Sequence, residues 1–286
     1  MLLRSWRLAP PLVFASVLAS IVLACSSNTV VAAAPAADAG GPASTQPPVT
    51  TLFSKSITNV TVEIDYAPGA EPYIGTVKDF GDPWSLFNVN ALAIFDGKKT
   101  FAFPRTLASM EKLADVTAKT FTTADILAIA AAHRSQQSAD DTVAFYIVFL
   151  PGTFVDDAGT AQKTTLGVSI GDTGVIGLFK PAISTPVVNP TPPPQFVEQL
   201  ALIHFLGHAV GFVDNGVPVG DSNKAHIDTT NAHHCTNTKC AMSFAVESAA
   251  GAAAYAKTLI RSPEAVLIGQ ECLSDARLLE SMQLMQ

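Results

Sequence analysis

The sequence predicts an α+β domain in which a twisted mixed sheet packs on one deeply apolar helix and a mostly helical part follows. Two observations carry this. Short β-branched or alternating runs recur between residues 60 and 179, and residues 195–210 form a helix-period segment that is apolar on most of its circumference.

In chain order, Val60, Val62, Ile64 and Tyr66 alternate with polar residues, the pattern of a half-buried strand, and Pro68-Gly69 ends it. Asn88 to Phe95 and Thr100 to Phe103 read as further short strands around an Asp96-Gly97 turn. Thr123 to His133 is an apolar helix with Thr122 or Thr123 as its cap. Thr142 to Leu150 is β-branched and aromatic, as buried strands are, and Pro151-Gly152 stops it. Leu166 to Phe179 holds two strand-like runs broken by Gly171-Asp172-Thr173-Gly174, which a hairpin explains. Pro181, Pro186, Pro190, Pro192, Pro193 and Pro194 then supply a rigid, donor-poor backbone that cannot continue a sheet, so this stretch connects to the helix beginning at Gln195.

The chain has 286 residues, a formal charge of −7 and only 14% charged residues. An acidic balance argues against nucleic-acid binding, which needs clustered Lys and Arg to neutralise phosphates. Hydrophobic residues make up 48% of the chain, yet only one run, near the N-terminus, approaches bilayer-spanning length, which excludes a polytopic membrane protein.

That run begins a delivery signal. Arg4 and Arg7 precede an apolar stretch from Leu8 to Ala24, and Val22-Leu23-Ala24-Cys25 resembles the lipobox of bacterial lipoproteins. The resemblance implies a signal peptide over 1–24, lipidation of Cys25 and an exported protein anchored to a membrane only through its lipid. Ser26 behind the lipid site fits the outer membrane or a periplasm-facing surface. Residues 25–52 are rich in Ala, Pro, Ser and Thr and read as a flexible tether. The folded domain is expected over 53–286, with an N-terminal part 53–210 and a C-terminal part 211–286.

The informative segment is QFVEQLALIHFLGHAV, residues 195–210, closed by Gly211, a residue suited to the left-handed backbone that ends helices. His204 and His208 lie four apart, so both imidazoles leave one helix face, a geometry that suits two ligands of one tetrahedral zinc. Downstream stands His234-Cys235, with Cys240 and Met242 five and seven residues after that Cys. Together these segments resemble the metzincin clan of zinc metallopeptidases, HExxHxxGxx(H/D) followed by a turn containing Met, and the His-Cys-x4-Cys-x-Met arrangement resembles archaemetzincins. The resemblance implies a zincin-like fold, one bound Zn2+, and a Met turn at Met242.

Two departures matter. The clan's general-base Glu follows the first His, and this chain has Phe205 there. A phenyl ring cannot accept a proton, and loss of a general base removes about 10²–10⁴-fold in rate, so an impaired or inactive peptidase is expected. The third ligand is the second departure. Asp214 stands where the clan places it, whereas His234 directly precedes the first Cys as in archaemetzincins, and residues 215–233 separate the two. Both stay open, with His226 and His233 as weaker options. Glu247 follows the Met turn and is a weak candidate to replace the missing carboxylate, against the plainer reading of a solvated acid; Glu198, about 240° round the helix from His204, points elsewhere.

An exported compartment oxidises thiols, so Cys235 and Cys240 are expected to form a disulfide. Alternatives pair Cys272 with Cys240, or gather all three on a second zinc as archaemetzincin cysteines do. Gly167-Val168-Ser169-Ile170-Gly171 fits the GxSxG elbow of serine hydrolases, but its flanks are not a buried strand and a helix, so Ser169 reads as a strand residue. The functional expectation is therefore a lipid-anchored zinc-peptidase homologue, with a peptide or protein as its candidate ligand and a metal-free binding or scaffolding lipoprotein as the rival.

Overall fold

The computed structural model describes residues 49–185, 192–220, 222 and 224–283. The signal peptide, Cys25, most of the tether, Pro186 and Pro190 lie outside the described residues. In chain order the elements are α1 (Val49–Leu52), β1 (Asn59–Tyr66), α2 (Trp84–Ile94), β2 (Thr100–Ala102), β3 (Glu111–Lys112), β4 (Thr120–Phe121), α3 (Thr123–His133), β5 (Thr142–Leu150), β6 (Thr153–Val155), β7 (Ala161–Gln162), β8 (Gly167–Ile170), β9 (Val175–Phe179), α4 (Lys180–Ser184), α5 (Pro194–Ala209), α6 (Ala249–Leu259) and α7 (Gln270–Gln283). No described helix is long and apolar enough to cross a membrane.

The main sheet runs β2-β1-β5-β9-β8, with β3 also pairing with β1; β1, β2, β3, β5 and β9 are parallel and β8 is antiparallel to β9. β4, β6 and β7 form a small second sheet. The fold is thus mixed α+β, as the sequence predicts. β1 is not half-buried, however: it lies between β5 on one side and β2 and β3 on the other, and both its faces are covered, so Glu63 and Asp65 are buried. Glu63 is satisfied there by the backbone N–H groups of Ser135 and Gln136, 3.0 and 2.6 Å away.

Residues 88–95, expected as a strand, form the second half of helix α2 as far as Ile94, with Phe95 as its C-cap. Leu86, Phe87, Asn90, Ala91 and Ile94 are buried at helical spacing, a period that eight residues read two by two can mimic. Asp96 and Gly97 end this helix rather than turn a hairpin. Both take left-handed backbone (φ 52° and 65°), and Gly97 N–H donates to Leu92 C=O, 2.9 Å away. Helix α3 starts as expected, with Thr122 and Asp125 forming a capping box. The Val49–Leu52 turn, at the end of the tether segment, is folded in, with Leu52 1% exposed.

Helix α5 is the centre of the domain. It packs against α2, α4, α6, β8 and β9, and nearly every residue from Phe196 to Ala209 is buried, as expected of a helix apolar all round. Its one acid, Glu198, is fully buried and ion-paired with Lys180, whose ammonium lies 3.3 Å from the centre of the Tyr73 ring. Burial pushes the Glu198 carboxyl up and the Lys180 ammonium down, and each partner opposes the other's shift.

Candidate metal centre

At the C-terminal end of α5, His204 and His208 project together and their Nε2 atoms lie 3.1 Å apart. Gly211, with φ 88°, ends the helix as its sequence position suggests. The following loop then folds back on itself. Asp228 N–H donates to His234 C=O and Thr236 N–H to His226 C=O, each at 2.8 Å, and this return delivers His234 to the helix. Asp214 stays exposed in that loop, at a left-handed φ of 59°, so of the two third-ligand candidates the structure brings His234 to the pair and leaves Asp214 outside. His226 joins a different cluster, and His233 is not among the gathered groups.

Glu247 completes the group, on a 3₁₀ turn Phe244–Glu247 just after Met242. Its Oε1 lies 3.1 Å from Nε2 of His204, 3.5 Å from that of His208 and 3.0 Å from that of His234. The expectation of a solvated surface acid is corrected: the Glu247 side chain is 21% exposed and faces three imidazoles. The four groups form a set able to hold a metal ion.

The outer partners of the rings fix which nitrogen is available. Nδ1 of His204 lies 2.6 Å from Ala241 C=O and Nδ1 of His234 lies 2.8 Å from Ala232 C=O. A carbonyl only accepts, so both Nδ1 atoms carry protons, and in the neutral rings both Nε2 atoms turn lone pairs toward a carboxylate. Lone pairs facing an anion repel unless a cation stands between them. Burial lowers His208 to about 4. Such backbone carbonyls behind metal-ligating imidazoles orient the rings and raise their basicity.

The carbonyl behind His204 is itself braced. Ala241 N–H donates to Leu267 C=O at 2.7 Å, and Leu267 N–H donates to the buried Asn90 Oδ1 at 2.6 Å. Met242 sits beneath α5, so close that a Cβ at Gly207 would fall 2.3 Å from its Sδ. Phe205 is 2% exposed, its ring edge-on to that of His204 with centroids 4.9 Å apart and packed on β8, where a Cβ on Gly167 would meet it at 2.8 Å. The residue that directly follows His204 is thus a core side chain. Ser169 lies within β8, as expected.

The disulfide between Cys235 and Cys240 does not form. Cys235, Cys240 and Cys272 are all free and buried, and Cys240 and Cys272 sulfurs stand 3.6 Å apart, beyond the roughly 2.05 Å of a disulfide. His226 lies beside them, Nδ1 3.8 Å from the Cys272 sulfur, while its Nε2 bonds Asp275 at 2.8 Å. His226, Cys235 and Cys272 form a second group able to hold a metal, and Cys235, Cys240 and Glu271 a third that overlaps it. Hydrogen bonds from Cys235 and Cys272, joined by the N–H groups of Gly269 and Met242, depress the Cys240 thiol to about 4, whereas Cys272 is pushed up. Sequence reasoning named His226 only as a weaker ligand for the His204 and His208 pair and passed over Asp275, because nothing in their local spacing ties them to the cysteines. Comparison with protein-family models, curated proteins and solved structures finds no match to this chain.

Proposed function

We propose that this chain is an exported, lipid-anchored homologue of zinc metallopeptidases that holds a divalent ion on His204, His208 and His234 and lacks effective proteolytic activity. The observation that carries the reading is the pair of Nδ1–carbonyl bonds, which leave the Nε2 lone pairs of His204 and His234 converging with His208 on one point. An imidazole-rich donor set with a carboxylate beside it suits zinc among the common divalent ions. When bound, such an ion supplies Lewis acidity. The chain's own residues then decide what is done with it. Peptide hydrolysis needs a positioned proton acceptor, and Phe205, packed on Gly167, offers none.

The same donor logic extends to His226, Cys235 and Cys272, and with Cys240, whose sulfur is 3.6 Å from that of Cys272, they would make a set of the Cys3His type found in structural zinc sites. Two ions per chain are therefore expected, rather than the one suggested by the His pair alone. Elemental analysis of purified protein tests this directly. No bound metal would remove the reading and leave the metal-free binding lipoprotein. Peptide cleavage by the wild type that chelators abolish would overturn the loss of activity. Phe205→Glu measures how much of a peptidase site persists around the ion.

A further inference from the structure

We infer that Glu247 is the fourth ligand of the His204, His208 and His234 centre, so that the chain itself fills the position a hydrolytic centre keeps for water. This rests on the metal reading above. Four of the six edges between the donor atoms have the length expected of a zinc tetrahedron. The separations between Nε2 of His204 and His208, and from Glu247 Oε1 to the three rings, are 3.1, 3.1, 3.5 and 3.0 Å, and all donor atoms lie within 4.8 Å of one another. Zn–N and Zn–O bonds of about 2.0–2.2 Å demand tetrahedral edges of roughly 3.3–3.5 Å, and edges of the observed length put the centre about 2.0 Å from each corner.

Oε1 is a corner of this figure and not its middle. From its distances to His204 and His208 and their mutual separation, the two nitrogens subtend about 56° at the carboxylate oxygen. A corner of a tetrahedron sees its neighbours at about 60°, whereas the centre sees them at about 109°. The carboxylate has therefore not taken the ion's place; it leaves that place open and faces it.

Its approach is built into the fold. The Glu247 carbonyl accepts from Leu166 N–H at 3.3 Å, the preceding Val246 is fully buried, and the following Ser248 caps α6 by accepting from Gly251 N–H at 3.2 Å. A ligand held by a strand-side contact before it and a helix cap after it is pre-placed, not a loop carboxylate that happens to swing in. Closed four-coordinate sites are the structural kind, and catalytic ones keep a water position. Together with Phe205, a ligating Glu247 removes both the water and the acceptor, so both features act against hydrolysis.

The test is the absorption spectrum of the full chain loaded with cobalt(II), whose visible bands report ligand number and exchange. In the wild type, azide or acetate at millimolar concentration should leave the bands of the His centre unchanged. Glu247→Ala should bind azide or acetate with a clear spectral change and lose about 10²–10³-fold in metal affinity, partly restored by acetate. Glu247→Gln, which keeps the side-chain volume, should show the same loss with the fold intact by circular dichroism. A wild-type spectrum that shifts with azide, or a Glu247→Gln protein with unchanged affinity and spectrum, would overturn the assignment while leaving a three-imidazole centre standing. Cobalt bands insensitive to His204→Ala would instead strike the parent reading.

Discussion

The two donor clusters sit close in sequence and are built in opposite ways. In the His cluster the rings are held by backbone carbonyls at Nδ1 and point Nε2 inward, with a carboxylate partly open to solvent. In the Cys cluster His226 is held at Nε2 by the Asp275 carboxylate and turns Nδ1 to sulfur, and all four members are buried. The first is a local helical pair with two additions. The second joins segments up to 46 residues apart and ties α7 to the loop that carries His234. The difference separates roles: the outer cluster is a site grafted onto a helix that packing already fixes, whereas the inner cluster stands in for hydrophobic core where the chain returns from α7.

The comparison can be broken most directly at the ligands. His208→Ala should reduce affinity for one ion by about 10²–10³-fold, leave the second ion in place, and hardly lower thermal stability of the metal-free protein, as read by metal titration and calorimetry. Cys272→Ser should do the reverse. It should release the inner ion and, because structural metal binding is folding energy, lower stability by about 3 kcal/mol, a Tm drop of roughly 6–12 °C. Equal Tm losses for the two variants would dissolve the distinction. Asp275→Asn should weaken only the inner ion, by about 10–100-fold, since it removes the carboxylate that orients His226.

A smaller effect is expected at the contact beneath the outer cluster. Gly207→Ala pushes a methyl into Met242 Sδ and should cost about 1–3 kcal/mol by urea unfolding, with the outer ion bound more weakly as the Met turn shifts. The smallest lies in β1, remote from both clusters. Burial raises Asp65 to about 6, with Glu111 N–H opposing it, so the folded state holds a proton there that the unfolded chain releases near pH 4. Stability contributed by this group is therefore lost as pH rises from about 4 to 6, and Asp65→Asn should flatten that part of the stability curve.

Helix α5, its His pair, the capping of α3, the buried β5 and the β8–β9 hairpin were legible because each is a local pattern of period 3.6 or 2, or a turn signature. The same locality misread residues 88–95, where a short apolar run fits either period and only packing against α5 selects the helix. Within the sites, the amino-acid sequence by itself determined that two imidazoles share a helix face and that no carboxylate stands between them. Tertiary structure alone decided that His234 and not Asp214 joins them, that Glu247 faces the gathered rings, and that three cysteines meet a histidine in place of closing a disulfide. The physical reason is that a helix fixes neighbours four residues apart by its own hydrogen bonds, while the meeting of residues 204, 234 and 247, or of 226 and 272, depends on where loops return and on which buried polar groups find partners.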